Sequence, residues 1–451
     1  MRILDSSVGR IKNSRNQDTI EVIIKTKRGL FKSSAPEGAS KGEREVQAFS
    51  SEGIGHSINF LSSLFFKLQQ NIVFFREFED LKIIEDEFHE VDKTKNLAIL
   101  GGNTLYAAEA VILKGMASSH KDKELWQFLF DEEYNHPKDS DQKIEKLHEI
   151  KFVQDGKDGK PELQNKPKMP MQLGNCVGGG KHTKEIEKPD FQEFLFLPRS
   201  DTFKECFKIN QKAYKEVKNF LKKRDAKFNG KTTDEKAFIS YLNNEEILSI
   251  LKEVQQKVQK GIKNKIDIGI DIAASSFYDK KSKKYIYTNF DGKPRQLTKE
   301  EQLQYVFNII KKYNLTYVED PFEENDFVSF ARLLALVKKE RLNTLIVGDD
   351  LTCTNPELLK KAISQKSING IIIKPNQVGS FLETKKTLDV AKKNNIMPII
   401  SNRSGETDDD TMAHLAVGWQ TPIIKIAIEG KERLAKTKKL INIEKEIEKI
   451  Y

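Results

Sequence analysis

After residue 260, short apolar runs alternate with longer stretches that have helical spacing. The runs include "IDIGID", "LTYVED", "TLIVGDD" and "GIIIK", and near-continuous apolar runs of this length are typical of buried parallel strands. Six runs end on a polar residue, namely Asp271, Glu319, Asp349, Lys374, Asn402 and Lys425. Repeated strand–helix units favour an α/β barrel, in which these strand ends would meet at one mouth.

The first part of the chain has a different pattern. The alternating segment "TIEVIIKTKRGLFKSSA" predicts a two-stranded hairpin with Arg28 and Gly29 at the turn, and two later segments have helical spacing. We therefore expect an α+β domain over 1–135. The polar stretch 136–168 predicts a linker or an exposed excursion, and 169–451 is the predicted barrel domain.

Composition narrows the class of protein. A chain of 451 residues is long enough for two domains, and its runs of apolar residues are too short to cross a membrane. The first residues lack the apolar core of a secretory signal, so we expect a cytoplasmic protein. Cys176, Cys206 and Cys353 lack metal-ligand spacing and are interpreted as packing residues.

The formal charge of +9 raises the question of a nucleic-acid partner. The lysines are spread along the chain at predicted helix ends and outer faces, as in "KKYNL" and "LVKKERL". This pattern favours solvated helix faces over a dedicated nucleic-acid surface. A scaffolding role for the basic surface is the alternative from a different class of function.

The polar strand ends suggest chemistry. Asp271, Glu319 and Asp349 are hard oxygen donors that would repel one another without a cation, which indicates a Mg²⁺ site. The alternative is that each carboxylate caps a helix or pairs locally. Lys374 and Lys425 would then favour an anionic substrate. Because positive neighbours disfavour an ammonium, we expect a depressed lysine pKa and interpret Lys374 as a general base rather than a snorkelling lysine.

Several motifs resemble the enolase family. "IVGDDLTCTNPELLKKAI", "IIIKPNQVGS", "SNRSGETDDDTMAHLAVG" and "YVEDPFEENDF" are similar to its C-terminal half, and "SAPEGASKGEREV" and "LGGNTLYAAEAVILKGMA" to its N-terminal half. The resemblance implies a small α+β domain followed by an eight-stranded α/β barrel. It also implies the dehydration of 2-phospho-D-glycerate to phosphoenolpyruvate, a lyase reaction of glycolysis and gluconeogenesis, by a homodimer or larger homo-oligomer.

The resemblance also implies roles for individual residues. Lys374 would remove the C2 proton, Glu235 would protonate the departing C3 hydroxyl, and Glu193 would be the partner of Glu235. One Mg²⁺ would bind Asp271, Glu319 and Asp349, and a second would bind with Ser40 in the closed, substrate-bound state. The residues implied in substrate binding are His182, Asn402, Arg403, Ser404 and Lys425.

Some positions depart from the family pattern. Asn402 stands where the family usually has a histidine, and Lys236 and Ala237 replace two glycines after Glu235. An asparagine can form hydrogen bonds but cannot carry a proton, so the rate could suffer even if binding survives. The alternatives are therefore a catalytically impaired or altered-substrate relative with a binding role, or another activity of the same superfamily.

Overall fold

The structure is a computed structural model that describes residues 1–39, 41–135 and 166–451. The predicted linker or excursion lies almost entirely outside the described residues, and so does Ser40. Within the described ranges, no helix is long and apolar enough to cross a membrane. Cys176, Cys206 and Cys353 are all buried free thiols, as expected of packing residues.

The N-terminal part combines a small antiparallel sheet with helices. Its strands pair in the order β1-β2-β3, and the predicted hairpin is confirmed as β2 and β3, but its turn lies at Lys27 and Arg28 because Gly29 already pairs with Thr26. The strands are β1 (Asp5–Lys12), β2 (Asp18–Thr26) and β3 (Gly29–Ser34). The helices are α1 (Ile54–Gln70), α2 (Lys82–Val91), α3 (Gly102–Ser119) and α4 (Leu125–Asn135).

Eight strands close into a barrel within the part of the chain that the structure describes, because the last strand pairs with the first. They are β4 (Met171–Gly178), β5 (Glu193–Pro198), β7 (Ile266–Asp271), β11 (Tyr317–Glu319), β12 (Leu345–Gly348), β13 (Gly370–Ile373), β14 (Met397–Ser401) and β15 (Ile423–Lys425). Strand β6 (Phe238–Ile239) adds to β4 outside this ring. A separate small sheet holds β8 (Tyr278–Asp279), β9 (Lys284–Tyr287) and β10 (Arg295–Leu297).

Helices surround the barrel. They are α5 (Phe203–Arg224), α6 (Asn244–Gln259), α7 (Lys299–Tyr313), α8 (Phe327–Lys339), α9 (Pro356–Ser364), α10 (Pro375–Val378), α11 (Phe381–Lys393), α12 (Thr411–Gly418) and α13 (Lys431–Ile450). Local sequence sets where several begin. Asn243 with Glu246 and Thr298 with Glu301 form capping boxes, in which each side chain accepts from the other residue's backbone N–H.

One strand departs from the predicted parallel arrangement. Strand β5 pairs antiparallel with both β4 and β7, whereas the other neighbours in the closed ring run parallel. The first residue of β5, Glu193, therefore lies in register with Asp271, the last residue of β7. This reversal brings a residue from the start of a strand to the mouth where the other strands end.

Candidate active site

The mouth of the barrel forms one cleft with about 510 Å³ of space that is open to solvent. Ten of the predicted residues line it: Lys374, Glu235, Glu193, His182, Arg403, Ser404, Lys425, Asn402, Asp271 and Asp349. Glu319 does not line the cleft, because its side chain is fully buried behind that of Lys425. The predicted mouth therefore exists, and Glu319 is buried next to Lys425, which lines it.

Lys425 connects three carboxylates. Its Nζ lies 2.9 Å from Asp271 Oδ2, 2.7 Å from Glu319 Oε2 and 2.8 Å from Glu193 Oε2. Strand pairing produces this convergence, since Asp271 is level with both Glu319 and Glu193. Burial disfavours the ammonium form, but the charges of these carboxylates hold the pKa of Lys425 well above its ordinary value.

Lys374 and Asp349 form one side of the cleft, which is called the base side after the predicted role of Lys374. Lys374 follows β13 and precedes Pro375, which ends the strand and begins α10. The Lys374 backbone N–H donates to Thr354 Oγ1 at 2.9 Å, and its ammonium donates to Asp349 Oδ2. The lysine is thus held at the cleft wall by its backbone and its side chain.

The charges on the base side overturn one prediction. Burial acts to lower the pKa of Lys374, but the charge of Asp349 raises it above its ordinary value. For Asp349, burial acts to raise the pKa, yet the charge and hydrogen bond of Lys374 bring it below its ordinary value. The predicted depressed lysine pKa is wrong here, because each amine contacts a carboxylate more closely than it contacts another cation.

Two aspartates that sequence reasoning missed organise this side. Asp320 Oδ1 accepts from the Asp349 N–H at 3.0 Å, and its Oδ2 accepts from the Asp350 N–H at 2.8 Å. One carboxylate oxygen from each of Asp320, Asp349 and Asp350 lies within 4.8 Å of the other two. The signal was present, because Asp320 and Asp350 directly follow the two predicted ligands in sequence.

Two of the predicted metal ligands, Asp271 and Asp349, also make local hydrogen bonds, which is the alternative to a metal site. Asp271 Oδ1 accepts from the Ala273 N–H at 3.0 Å, and Asp349 Oδ1 accepts from Gln377 Nε2 at 2.8 Å. In contrast, Glu319 Oε1 is buried and has no hydrogen-bond partner among the described residues. A buried carboxylate oxygen without a donor is costly, and a cation with oxygen ligands would satisfy it. This donor chemistry fits a divalent cation, although Asp271, Glu319 and Asp349 do not form one of the groups of described residues whose ligand atoms all lie within 4.8 Å of one another.

His182, Glu193 and Glu235 form a second side of the cleft, which is called the acid side after the predicted role of Glu235. Their potential ligand atoms lie within 4.8 Å of one another, with His182 Nδ1 at 3.9 Å from Glu193 Oε1. Burial is the main cause that raises the pKa of Glu193 to about 7, and the charge of Glu235 adds to it against that of Lys425. Burial likewise raises the pKa of Glu235, and the charge of Asp234 adds to it. This pair can therefore hold a proton near neutral pH.

In the turn that carries Glu235, Lys236 occupies a position where the resemblance leads us to expect a glycine. Lys236 has φ of 63°, in the left-handed region that favours glycine. Its carbonyl accepts a hydrogen bond from the Tyr214 hydroxyl, and the Tyr214 ring stacks on Phe238 at 4.3 Å between centroids. These contacts hold the turn, and with it Glu235, against the barrel.

The residues that follow β14 form a third wall of the cleft, next to the base side and the acid side. Arg403 Nη2 lies 2.9 Å from Glu45 Oε2, and Arg403 Nη1 donates to Asn376 Oδ1 at 3.1 Å. Ser404 Oγ accepts from the Ala39 N–H at 2.5 Å, which joins this wall to the N-terminal domain beside position 40. Asn402 Nδ2 donates to the Arg403 carbonyl, and its Oδ1 accepts from the Ala427 N–H. Asn402 thus ties the end of β14 to the segment after β15.

Comparisons with known proteins agree with this architecture. Residues 166–450 match the family model described as "Enolase, C-terminal TIM barrel domain", and residues 5–129 match "Enolase, N-terminal domain". Three curated relatives named "Enolase" are similar over nearly their full lengths. They are from Methanosphaera stadtmanae (35% identical, 99% of this chain and 97% of the relative), Methanothermobacter thermautotrophicus (34%, 99% and 97%) and Picrophilus torridus (31%, 99% and 99%). The chain belongs to the enolase family.

Proposed function

We propose that this chain catalyses the Mg²⁺-dependent dehydration of 2-phospho-D-glycerate to phosphoenolpyruvate. The observation that carries the proposal is the single cleft that unites the base side, the acid side and Arg403 with Ser404. The curated relatives, all named "Enolase", favour this reaction over a purely binding role. We also retain the proposals of a cytoplasmic location, a homodimer or larger homo-oligomer, and domains over 1–135 and 169–451.

Asp271, Glu319 and Asp349 would hold the first Mg²⁺, because their oxygens are hard donors and Glu319 Oε1 is buried without a partner among the described residues. Asp320 would keep Asp349 in place through the two backbone hydrogen bonds at 349 and 350. When bound, Mg²⁺ stabilises the negative charge that develops on a substrate carboxylate. A second Mg²⁺, bound with Ser40 in the closed state, is part of the same proposal.

Lys374 would take the proton from C2 of the substrate. It lines the cleft as a buried amine, and its backbone N–H is fixed by Thr354. Only the neutral amine can accept a proton, and the charge of Asp349 is what raises the pKa of Lys374. Positive charge that engages Asp349 therefore favours the reactive form of the lysine.

Glu235 would donate a proton to the departing C3 hydroxyl, with Glu193 as its partner. The two carboxyls are buried together, and the pKa of Glu193 is raised to about 7. A carboxyl acid whose pKa lies near the working pH is an effective proton donor. His182 stands next to this pair and would contact the substrate from the loop before β5.

The remaining cations would bind the anionic ends of the substrate. Arg403 and Ser404 would hold the phosphate, since a guanidinium and a hydroxyl can both donate to phosphate oxygens. Lys425 would meet the substrate carboxylate beside the metal ligands. Asn402 would line the substrate site through an amide that is already hydrogen-bonded to backbone on both sides.

The test is phosphoenolpyruvate formation by absorbance from 2-phospho-D-glycerate, with Mg²⁺ or with a chelator. We expect turnover with Mg²⁺ and loss of turnover with the chelator. Lys374→Ala should abolish turnover, which also excludes a contaminating enzyme. Lys360→Ala removes a half-exposed lysine on α9 and is the matched control, with an unchanged rate expected. Wild-type protein that binds Mg²⁺ and substrate without turnover would favour the alternative of a binding protein.

A further inference from the structure

Tyr317 is a polar side chain in the interior of the barrel. It begins β11, and Glu319 ends the same strand, so the two side chains point to the same face of the sheet. Both are fully buried. Tyr317 belongs to a cluster of buried barrel residues that also includes Leu345, Val347 and Ile399. A hydroxyl in these surroundings needs a partner, and the metal-site carboxylate supplies it.

The neighbouring strand leaves space for this ring. Tyr317 pairs in register with Gly269 across β7 and β11. A Cβ atom at position 269 would lie 2.9 Å from the Cβ of Tyr317, which is closer than side chains tolerate. The absence of a side chain at Gly269 therefore leaves room for the Tyr317 side chain.

The hydroxyl selects one oxygen of Glu319. It donates a hydrogen bond to Glu319 Oε2, and Lys425 Nζ lies 2.7 Å from the same oxygen. Two donors therefore hold Oε2, whereas Oε1 is buried without a hydrogen-bond partner in the described part of the chain. A carboxylate held in this way presents one oxygen, in a fixed orientation, to a cation.

We infer that Tyr317 is a positioning residue for the metal centre, which anchors Glu319 Oε2 and leaves Oε1 as the oxygen that would bind a cation. This inference rests on the proposed metal site in the cleft. Outer contacts of this kind orient ligands, and their loss costs metal affinity about 10–100-fold. Mg²⁺ demands near-ideal octahedral geometry, whereas Ca²⁺ accepts bidentate carboxylates in flexible arrangements. A monodentate, fixed Glu319 therefore favours Mg²⁺ over Ca²⁺.

The experiment is calorimetric titration of Mg²⁺, and separately Ca²⁺, into the substrate-free full chain. Tyr317→Phe keeps the ring and removes the hydroxyl. We expect Mg²⁺ affinity to fall about 10–100-fold in this variant, and Ca²⁺ affinity to fall by a smaller factor. Tyr287→Phe is the matched control, because Tyr287 is equally buried and its hydroxyl donates to Gln302 Oε1 at 2.8 Å, with neither residue in the cleft lining. Its Mg²⁺ affinity should not change.

The outcomes separate this inference from the proposed function. Unchanged Mg²⁺ affinity in Tyr317→Phe would overturn the inference while leaving the metal site intact. An equal loss for Mg²⁺ and Ca²⁺, or an equal loss in Tyr287→Phe, would overturn it in favour of a general packing role. If the wild-type protein binds no Mg²⁺, the proposed metal site fails, and the inference fails with it. A selective loss of Mg²⁺ affinity in Tyr317→Phe supports it.

Discussion

The base side and the acid side of the cleft place buried carboxyl groups in opposite electrostatic surroundings. On the base side, Lys374 contacts Asp349 directly, and their charges stabilise each other. On the acid side, Glu193 and Glu235 are buried together, and burial raises the pKa of each despite the opposing charge of Lys425. The difference shows how one cleft can hold an ionised carboxylate and a protonated one at the same pH.

The strongest test of this comparison removes Lys425, which contacts Glu193 on the acid side and whose charge also lowers the pKa of Asp349 on the base side. Lys425→Met leaves Glu193, Asp271 and Glu319 buried without their common ammonium. Breaking a buried ion pair from one end costs about 3–5 kcal/mol, so the free energy of unfolding should fall by that amount in chelator. Added Mg²⁺ should restore more stability to this variant than to the wild type.

Thermal and denaturant unfolding would measure these effects. Lys431→Met is the control, since Lys431 is 81% exposed and its pair with Asp408 lies on the surface. We expect a change within about 0.5 kcal/mol for this control. Equal stability of the two variants in chelator would contradict the picture of a shared buried cation.

The second prediction concerns pH. If the Glu193–Glu235 pair donates the proton, its protonated form is lost as pH rises through about 7, the value to which the pKa of Glu193 is raised. At saturating Mg²⁺ and substrate, kcat should therefore fall about tenfold per pH unit above that point. Asp234→Asn sharpens the test, because burial and then the charge of Asp234 raise the pKa of Glu235.

In Asp234→Asn, the descending limb of the pH profile should move to lower pH, since Glu235 loses its proton more readily. Glu300→Gln removes an exposed carboxylate on α7 and should leave the profile unchanged. A limb that stays in place in Asp234→Asn would show that another group donates the proton.

The smallest effect is expected at a second pair of carboxyls, the buried Glu109 and the half-buried Glu85, neither of which lines the cleft. Glu109 is fully buried on α3, and burial followed by the charge of Glu85 raises its pKa well above its ordinary value. Its Oε2 accepts from the Phe381 N–H at 2.6 Å, which a glutamine could also do. Glu109→Gln therefore removes the charge and keeps this hydrogen bond.

The sign follows from the raised pKa. The folded protein holds the Glu109 proton at pH values where the unfolded chain has released it, so stability falls as pH rises above the ordinary pKa of glutamate. Glu109→Gln should thus be more stable than the wild type at pH 8, by about 1 kcal/mol, and equal to it at pH 4. The exposed Glu90→Gln on α2 is the control, with no pH-dependent difference. A loss of stability at pH 8 in Glu109→Gln would contradict this account.

Much of the barrel could be predicted from the sequence. The apolar runs before Asp271, Glu319, Asp349 and Lys374 all form strands, because a near-continuous apolar run satisfies a strand buried on both faces. The direction of β5 could not be predicted, since the residues after Glu193, "FLFLP", are all apolar and carry no information on the neighbouring strands. Glu193 could be assigned by resemblance but not by its place in the strand pattern.

The charge states were harder to predict than the residues. The depressed lysine pKa was argued from two cations in one mouth, but the contact of Lys374 with Asp349 depends on distances that sequence does not contain. Tyr317 lies in an apolar run, and the sequence does not show that its hydroxyl donates a hydrogen bond to Glu319. Glu109 stands in an alanine-rich helix, and its partner Glu85 comes from a different helix. Ser40 stays a prediction, because it lies outside the described residues.

The most direct test of the account is the exchange of the C2 proton of 2-phospho-D-glycerate in deuterated water with Mg²⁺, measured by NMR alongside dehydration. Lys374→Ala should lose both exchange and dehydration. Glu235→Gln should lose dehydration by about 10²–10⁴-fold and still exchange the C2 proton, because the base side is intact. Exchange that persists in Lys374→Ala, or that disappears in Glu235→Gln with the fold unchanged, would contradict the separation of the cleft into a base side and an acid side.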